Sequence, residues 1–540
     1  MPVERLLPAC TDLSALLKAH RYEGSVIFGH AKDGNIHFML NERFDEPSGL
    51  RRYHAFTDEM VDLVLGHAGT LKAEHGTGRV MAPYVRRQYG AELYDVMREI
   101  KHLIDPRGIL NPGVLITDAA EHAAQQYKTS PTVEAEVDQC VECGYCEPIC
   151  PSKDLTLTPR QRIVIRREMR RAEEVGDQAL LADLEAGYRY DGVETCAVDS
   201  LCGMSCPLHI DTGQLTRRLR TEDAGNLQQT TWNAAARHWD AGTRLAGVAL
   251  STAKHLAPLA QAATELARSV GNRDLIPRWS RDLPAGGRAR TPLETERPVA
   301  VYFPSCTSTM FGPAAEGLGA SRAFLRLCEL AGVRLRTPDG IGSMCCGTPW
   351  KSKGLSDGYQ SMQDRVVRAM WEASEEGTLP IVSDAASCTE GLGHMLEHAA
   401  SEGRRFRVVD CLAFVDQELL HRLPPPRKIP SLVLHPTCST THLGLGAALE
   451  RIAGFTADAV TIPDDWGCCA FAGDRGLLHP ELTESATARE AAEVLAHGFD
   501  AYASANRTCE LGMSRATGHP YRHLLEVLEE AIRAGAGARG

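Results

Sequence analysis

Four cysteines fall within a single short tract, Cys140-Val-Glu-Cys143-Gly-Tyr-Cys146-Glu-Pro-Ile-Cys150-Pro151. The spacing C-x2-C-x2-C-x3-C-P wraps a backbone around a cubane iron–sulfur cluster. The two-residue gaps let successive thiolates converge, and the fourth cysteine commonly serves a second cluster. Structural zinc sites more often use two separated C-x2-C pairs. Downstream, Cys196-Ala-Val-Asp199-Ser-Leu-Cys202-Gly-Met-Ser-Cys206-Pro207 keeps the frame but has Asp199 where a second cysteine would stand. If the fourth cysteines cross over, one [4Fe-4S] cluster falls to Cys140, Cys143, Cys146 and Cys206. The second then uses Cys150, Cys196 and Cys202, with Asp199 either a ligand or a bystander in the loop. A carboxylate is a harder ligand than a thiolate, so a [3Fe-4S] form is accessible at that second site. Clusters of this kind carry single electrons.

Two further cysteine patterns repeat each other. Val299 to Cys306 matches Leu432 to Cys438, an apolar strand running into Pro-x-Cys; each is followed by a cysteine pair, Cys345-Cys346-Gly347 or Cys468-Cys469-Ala470, and then by Cys388 or Cys509. Strands alternating with helices predict parallel α/β units, and cysteines at strand C-termini lie where such sheets place ligands. These eight thiols suit a further iron–sulfur cluster, with a zinc site or an uncharged thiol cage as the alternatives. Cys10, Cys328 and Cys411 lie outside the motifs and read as buried structural thiols.

The N-terminal segment carries other chemistry. In Gly29-His30-Ala-Lys-Asp33-Gly34-Asn35-Ile-His37 the pair Asp33-Gly34 predicts a two-residue hairpin turn. That turn would set His30 opposite His37, close enough for both imidazoles to share one metal. Glu74-His75-Gly76-Thr77-Gly78-Arg79 and Asp105-Pro106-Arg-Gly108-Ile-Leu-Asn111-Pro112-Gly113 follow.

These three tracts, of the form GHxxDGNxH, AEHGxGR and DPxGxLNPG, resemble the C-terminal domain of FAD-linked D-2-hydroxyacid oxidoreductases of the vanillyl-alcohol oxidase superfamily. The cysteine-pair repeats resemble the CCG domains of heterodisulfide reductases and of glycolate and lactate oxidase iron–sulfur subunits. In order, the tracts are similar to the fused D-lactate dehydrogenases over nearly the whole chain. The resemblance implies that His30, His37 and Glu74 hold a divalent metal, zinc or manganese, and that His75 is the general base. It also implies that Arg79 is a partner for the substrate carboxylate and that Asn111 touches the FAD. Electrons would pass through the clusters to quinone or cytochrome. In that family an FAD-binding domain lies upstream and the cap begins before the first residue here. The expectation is therefore a flavin held mostly by a missing domain or a separate FAD-binding chain, with no lactate oxidation by this chain alone. The alternative is an iron–sulfur electron-transfer subunit of a glycolate oxidase or heterodisulfide reductase-like complex.

The elements that must position these groups set the fold class: a multidomain α+β and α/β protein. Residues 1–118 read as a partial ferredoxin-like cap, 130–280 as a helical two-cluster ferredoxin domain, and 298–420 and 430–534 as the two CCG domains. Polar or proline-rich stretches at 117–135, 281–298 and 421–430 read as linkers. Thr158-Pro159 predicts a helix start. The arginines after it (Arg160, Arg162, Arg166, Arg167, Arg170 and Arg171) read as a solvated face, with an arginine tuning a cluster potential as the alternative. The chain has 540 residues and a formal net charge of -12, which disfavours nucleic acid as a partner. Its 18 cysteines are clustered at metal spacings, which suits a reducing cytoplasm. The weakly apolar stretch from Leu245 to Val270 reads as a packing surface, with docking on the inner face of the membrane as the alternative.

Overall fold

A computed structural model describes every residue except 45, 73, 118–126, 128, 129, 272, 275, 315, 316, 402 and 538–540. Most of the stretch read as the first linker therefore lies outside the described residues. The chain divides into two compact units, Met1–Thr132 and Val133–Gly540.

In the first unit the helices Leu6–Ala19 and Pro47–Gly66 pack on a hairpin of β1 (Val26–His30) and β2 (Asn35–Met39). Alternation along the strands sends Ile27, Ile36 and Phe38 into a core with Leu13, Phe56 and Val61. The opposite face carries Phe28, His30, Asn35 and His37. The hairpin register differs from the two-residue turn expected. A type I′ turn needs positive φ at both central residues, and only Gly34 of the pair has it, at +63°. Ala31–Asp33 instead form a 3-10 turn, so His30 pairs with Asn35 and Phe28 with His37. The two histidines become diagonal rather than direct neighbours on one face.

The second unit opens with helices only. Pro159–Val175 starts at Thr158, whose side chain accepts from the Gln161 N–H while Gln161 caps in return, the reciprocal capping box. Gln178–Tyr188, Leu201–Ser205 and Thr212–Asp223 complete the segment around the two cysteine tracts. Trp239–His255 and Ala257–Val270 follow. Leu250, Ala253, Ala257 and Ala260 pack against a cluster containing Trp279, Phe311 and Phe471, while Leu245, Val248, Leu259, Leu266 and Val270 remain exposed. No helix among the described residues is long and apolar enough to cross a membrane.

Two four-stranded parallel sheets close the chain. One has β3 (Ala300–Phe303), β4 (Leu335–Arg336), β5 (Ile381–Ser383) and β6 (Val408–Asp410) in the order β4-β3-β5-β6. The other has β7 (Ile429–His435), β8 (Ala457–Thr461), β9 (Ala501–Ser504) and β10 (Arg522–His523) in the order β10-β9-β7-β8. Numbered within each repeat, both orders are 2-1-3-4. The strand order reverses between strands one and three, and such a switch point opens a crevice at the strand C-termini. The stretch 281–298 is not a free linker: Gly287 N–H donates to Thr309 O at 2.9 Å, and buried Arg290 donates to the Pro304, Gly342 and Met344 carbonyls.

Candidate redox centres and metal site

His30, His37 and Glu74 converge. Their ligand atoms lie within 4.8 Å of one another. His30 Nε2 is 3.4 Å from Glu74 Oε2, and His37 Nε2 is 3.1 Å from Oε1. Asn35 Nδ2 donates to Glu74 Oε2 at 3.0 Å, fixing the carboxylate. His37 stacks on Phe28, ring centroids 5.3 Å apart, and its buried Nε2 has no hydrogen bond of acceptable geometry. A buried nitrogen aimed at a carboxylate but not bonded to it suits a cation between them, and two imidazoles with a carboxylate fit zinc or manganese. His75 Nε2 lies 3.2 Å from Glu74 Oε1 with its side chain 80% exposed, so the ring is free to meet a substrate.

Asn111 takes a left-handed conformation (φ 43°) in a loop tied back to the Glu74–Arg79 segment, where Leu115 N–H donates to Gly78 O at 3.3 Å. Arg79 is exposed at the end of that segment. The loop is anchored by Asp105, which accepts from Lys101 Nζ at 2.5 Å and from the Ile109 and Leu110 N–H groups. The Lys101 hydrogen bond holds the Asp105 carboxyl down at about 2. A carboxyl depressed in the folded state adds stability above its ordinary value near 3.8, and that stability is lost as pH falls through the folded value. Amide exchange at residues 109–115 should therefore accelerate selectively as pH drops from about 4 toward 2, after correction for intrinsic rates. Asp105→Asn should show the faster exchange already at neutral pH.

None of the 18 cysteines forms a disulfide, and all but Cys10 lie in the second unit. Cys140, Cys143, Cys146 and Cys206 line one small cavity with Ile163, Ile210 and Pro207. Three members come from the first tract and one from the second, the crossed arrangement the spacing predicts. Burial raises the Cys140 thiol and pushes Cys146 up to about 11. A bound cation removes that penalty, because a coordinating thiol is deprotonated.

Cys150, Cys196 and Cys202 are buried nearby, and Cys150 and Cys196 both face Arg162. The arginine face is only partly solvated. Arg170 and Arg171 pair with Glu173, Glu174 and Glu168 at the surface. Arg162 is buried: Nη1 is 3.8 Å from Cys150 Sγ, Nη2 donates to Ser152 Oγ and Nε to Gly192 O. Arg167 is buried against Glu142 and the Asp138 and Cys140 carbonyls. The helix turns these two inward because the cysteine loops offer carbonyls and a carboxylate that satisfy them. A fixed cation beside Cys150 favours the reduced, more negative state of whatever that thiolate binds. Arg162→Leu should therefore lower that centre's potential, while Arg162→Lys keeps most of it, measured by redox titration of the EPR signal. Equal potentials in all three proteins would remove Arg162 from this role.

Asp199 is buried and accepts a hydrogen bond from Cys468, and His442 Nε2 lies 2.7 Å from its carbonyl. Burial raises its carboxyl to about 6, and one oxygen has no partner. Asp199 thus stands between Cys202 and the second cysteine-pair repeat, whose Ala470 packs on Ala197.

In the first repeat Cys306, Cys345, Cys346 and Cys388 are all buried together at the switch point. Hydrogen bonds from Cys345 and then Cys388 hold the Cys346 thiol well below its ordinary value. In the second, Cys438 with Cys468 and Cys469 with Cys509 form the corresponding group, the latter two sulfurs 3.2 Å apart. The Cys509 hydrogen bond, with His435, lowers Cys469 to about 5. Each repeat therefore gathers buried cysteine sulfurs, a donor set that binds soft metals. His435 belongs to this second group and carries no cysteine-spacing signal. Cys328 and Cys411 are buried in the apolar core as expected, whereas Cys10 is half-buried. A third grouping, Glu194, Asp274 and His479, is an ion-pair junction that includes Arg475. Burial opposes charge on His479, but hydrogen bonds to Asp274 and Glu194 raise it to about 10.

Comparison with known proteins agrees with this layout. Residues 1–115 match the family model of FAD linked oxidases, C-terminal domain; residues 136–210 match the 4Fe-4S dicluster domain; residues 300–393 and 432–514 match the cysteine-rich domain. The glycolate oxidase subunit GlcD of Bacillus subtilis is 31% identical over 119 residues, 22% of this chain and 24% of that protein. The probable mitochondrial D-lactate dehydrogenase of Danio rerio is 29% identical over 116 residues, 22% of this chain and 23% of that protein. The glycolate oxidase iron-sulfur subunit of Escherichia coli is 24% identical over 418 residues, 73% of this chain and 93% of that protein. The chain thus spans about a quarter of the first two relatives and nearly all of the third. It carries, in order, an FAD-linked oxidase C-terminal domain, a 4Fe-4S dicluster domain and a pair of cysteine-rich domains.

Proposed function

We propose that this chain binds a D-2-hydroxyacid, D-lactate in the first instance, and conducts the electrons of its oxidation from FAD to a quinone or cytochrome. The observation that carries the reading is the convergence of His30, His37 and Glu74, with His75 beside them, in the same chain as a crossed set of cluster cysteines. When bound, a divalent ion supplies Lewis acidity to the substrate's hydroxyl and carboxylate, and FAD is the hydride acceptor. Glu74 bridges the two imidazoles. His75 takes the hydroxyl proton at Nε2 as a positioned general base. Arg79 pairs with the carboxylate. Exposed Val26, Phe28 and Met39 flank the trio on the open face of the hairpin, an apolar rim for a flavin-carrying domain to cover. Cys140, Cys143, Cys146 and Cys206 hold one cluster. Cys150, Cys196 and Cys202, with Asp199, hold the second, for which a [3Fe-4S] form is accessible. This reading places the chain in the cytoplasm or on the inner face of the membrane.

The test is dye reduction by the anaerobically isolated holoprotein, with its flavin, across a panel of 2-hydroxyacids. D-lactate should give the highest kcat/KM. Chelation should abolish the rate, and zinc or manganese should restore it. A preference for glycolate or D-2-hydroxyglutarate would transfer the reading to that acid.

One observation favours a second reading. The similarity to the iron-sulfur subunit covers 93% of that protein, so the chain could serve as an electron-transfer subunit whose N-terminal unit binds no substrate. Unchanged turnover after loss of His75 would select it.

A further inference from the structure

His435 closes β7 and precedes Cys438 by three residues. Its ring is completely buried, 0% exposed. Nδ1 lies 2.8 Å from Glu490 Oε1, a carboxylate that is itself only 2% exposed. Nε2 faces Cys469 Sγ and Cys509 Sγ, all three ligand atoms within 4.8 Å of one another, with no hydrogen bond of good geometry to either. A single metal atom bound at about 2.0–2.3 Å by nitrogen and sulfur holds its ligand atoms roughly 3.5–4 Å apart, so these three positions suit one atom. A structural histidine needs only the Glu490 contact. Its second nitrogen, buried and aimed between two sulfurs, offers a further ligand atom.

The chain supplies its own comparison. Val301-Tyr302-Phe303-Pro304-Ser305-Cys306 aligns with Val433-Leu434-His435-Pro436-Thr437-Cys438, and β3 and β7 take the same place in their sheets. Phe303 stands where His435 does and packs in the apolar cluster that contains Cys306, Cys345, Cys346 and Cys388. The first centre has thiols and an aromatic ring, while the second has thiols, an imidazole and a carboxylate behind it. A ligating histidine almost always donates its other N–H to such a carboxylate, which sets its tautomer and orientation.

We propose that the two repeats hold chemically different centres: in the second, His435 Nε2 ligates the metal together with Cys469 and Cys509, positioned by Glu490, whereas the first is ligated by thiolates alone. Imidazole with thiolate selects zinc or iron, and the bound atom is either a lone zinc or one iron of a cluster. The inference rests on the reading that the cysteine-rich domains bind metal.

The experiment uses the full chain isolated anaerobically, with zinc, iron and sulfide measured per chain. Zinc-edge X-ray absorption reads a lone zinc, with a nitrogen scatterer at about 2.0–2.1 Å. Nitrogen hyperfine coupling on a paramagnetic state reads an iron. One of these signals is expected in the natural protein. His435→Phe should abolish it and lower the metal content by that of one repeat, with the ferredoxin-type signals of the first two tracts unchanged as proof of folding. His435→Cys should keep the metal and lose the nitrogen. Glu490→Gln should keep both but weaken binding about 10–100-fold in chelator competition. Full metal content and an unchanged spectrum in His435→Phe would overturn the proposal. A natural protein with metal in neither repeat would overturn the underlying reading as well.

Discussion

His75→Asn should slow 2-hydroxyacid oxidation by about 10²–10⁴-fold, the usual worth of a positioned general base, and leave the divalent metal bound. The His75 ring stands 5.8 Å from that of His37, its Nε2 3.2 Å from Glu74, and is the most exposed member of the group. It can therefore reach a substrate hydroxyl that the trio grips without being one of the three convergent ligands. Asparagine keeps polarity and approximate volume but cannot accept the proton. Metal content by elemental analysis should stay at the natural level, which separates this variant from His37→Ala or Glu74→Gln, where metal and activity fall together. The loss should lie in kcat more than in KM, because proton transfer is felt only in the transition state. Natural turnover in His75→Asn would move the account to the electron-transfer subunit.

Cys206→Ala should remove the cluster of the first tract, not that of its own. Cys206 lies in the sequence beside Cys196 and Cys202, yet it lines the cavity of Cys140, Cys143 and Cys146, while Cys202 faces Asp199, Asp211 and Cys196. A chain isolated without that thiol should lack one full cluster's iron. Its EPR spectrum should lose the first-tract signal and retain the centre sensitive to Arg162, and delivery of electrons to the terminal acceptor should collapse although flavin reduction by substrate persists. In an uncrossed arrangement the Arg162-sensitive signal would disappear instead.

Much of this was legible because thiolate spacing is a local property. The crossed cavity follows from C-x2-C-x2-C-x3-C-P, the helix start at Thr158 from its capping residues, and the twin sheets from two copies of strand-Pro-x-Cys. Other features depend on tertiary context. Asp33-Gly34 is a strong turn signal, but whether both residues adopt positive φ is settled by the flanking backbone, so the pairing of His30 moved by two residues. Arg162 and Arg167 belong to a run that looks like a solvated face. Only the carbonyls of folded cysteine loops and Glu142 make their burial affordable. The stretch 281–298 has a linker's composition, yet Gly287 approaches Thr309 closely and buried Arg290 donates to the Pro304, Gly342 and Met344 carbonyls. His435 looked like the last residue of an apolar strand; its one sequence signal was its alignment with Phe303 across the repeat, and Glu490 lies 55 positions away.

The proposed function requires that one chain couple a 2-hydroxyacid site to its own iron–sulfur clusters. Rapid-freeze EPR after mixing the anaerobic, flavin-containing holoprotein with D-lactate tests it most directly. Cluster reduction should keep pace with turnover in the natural protein and slow about 10²–10⁴-fold in His75→Asn. Clusters reduced equally fast in both proteins, or by no 2-hydroxyacid at all, would contradict it.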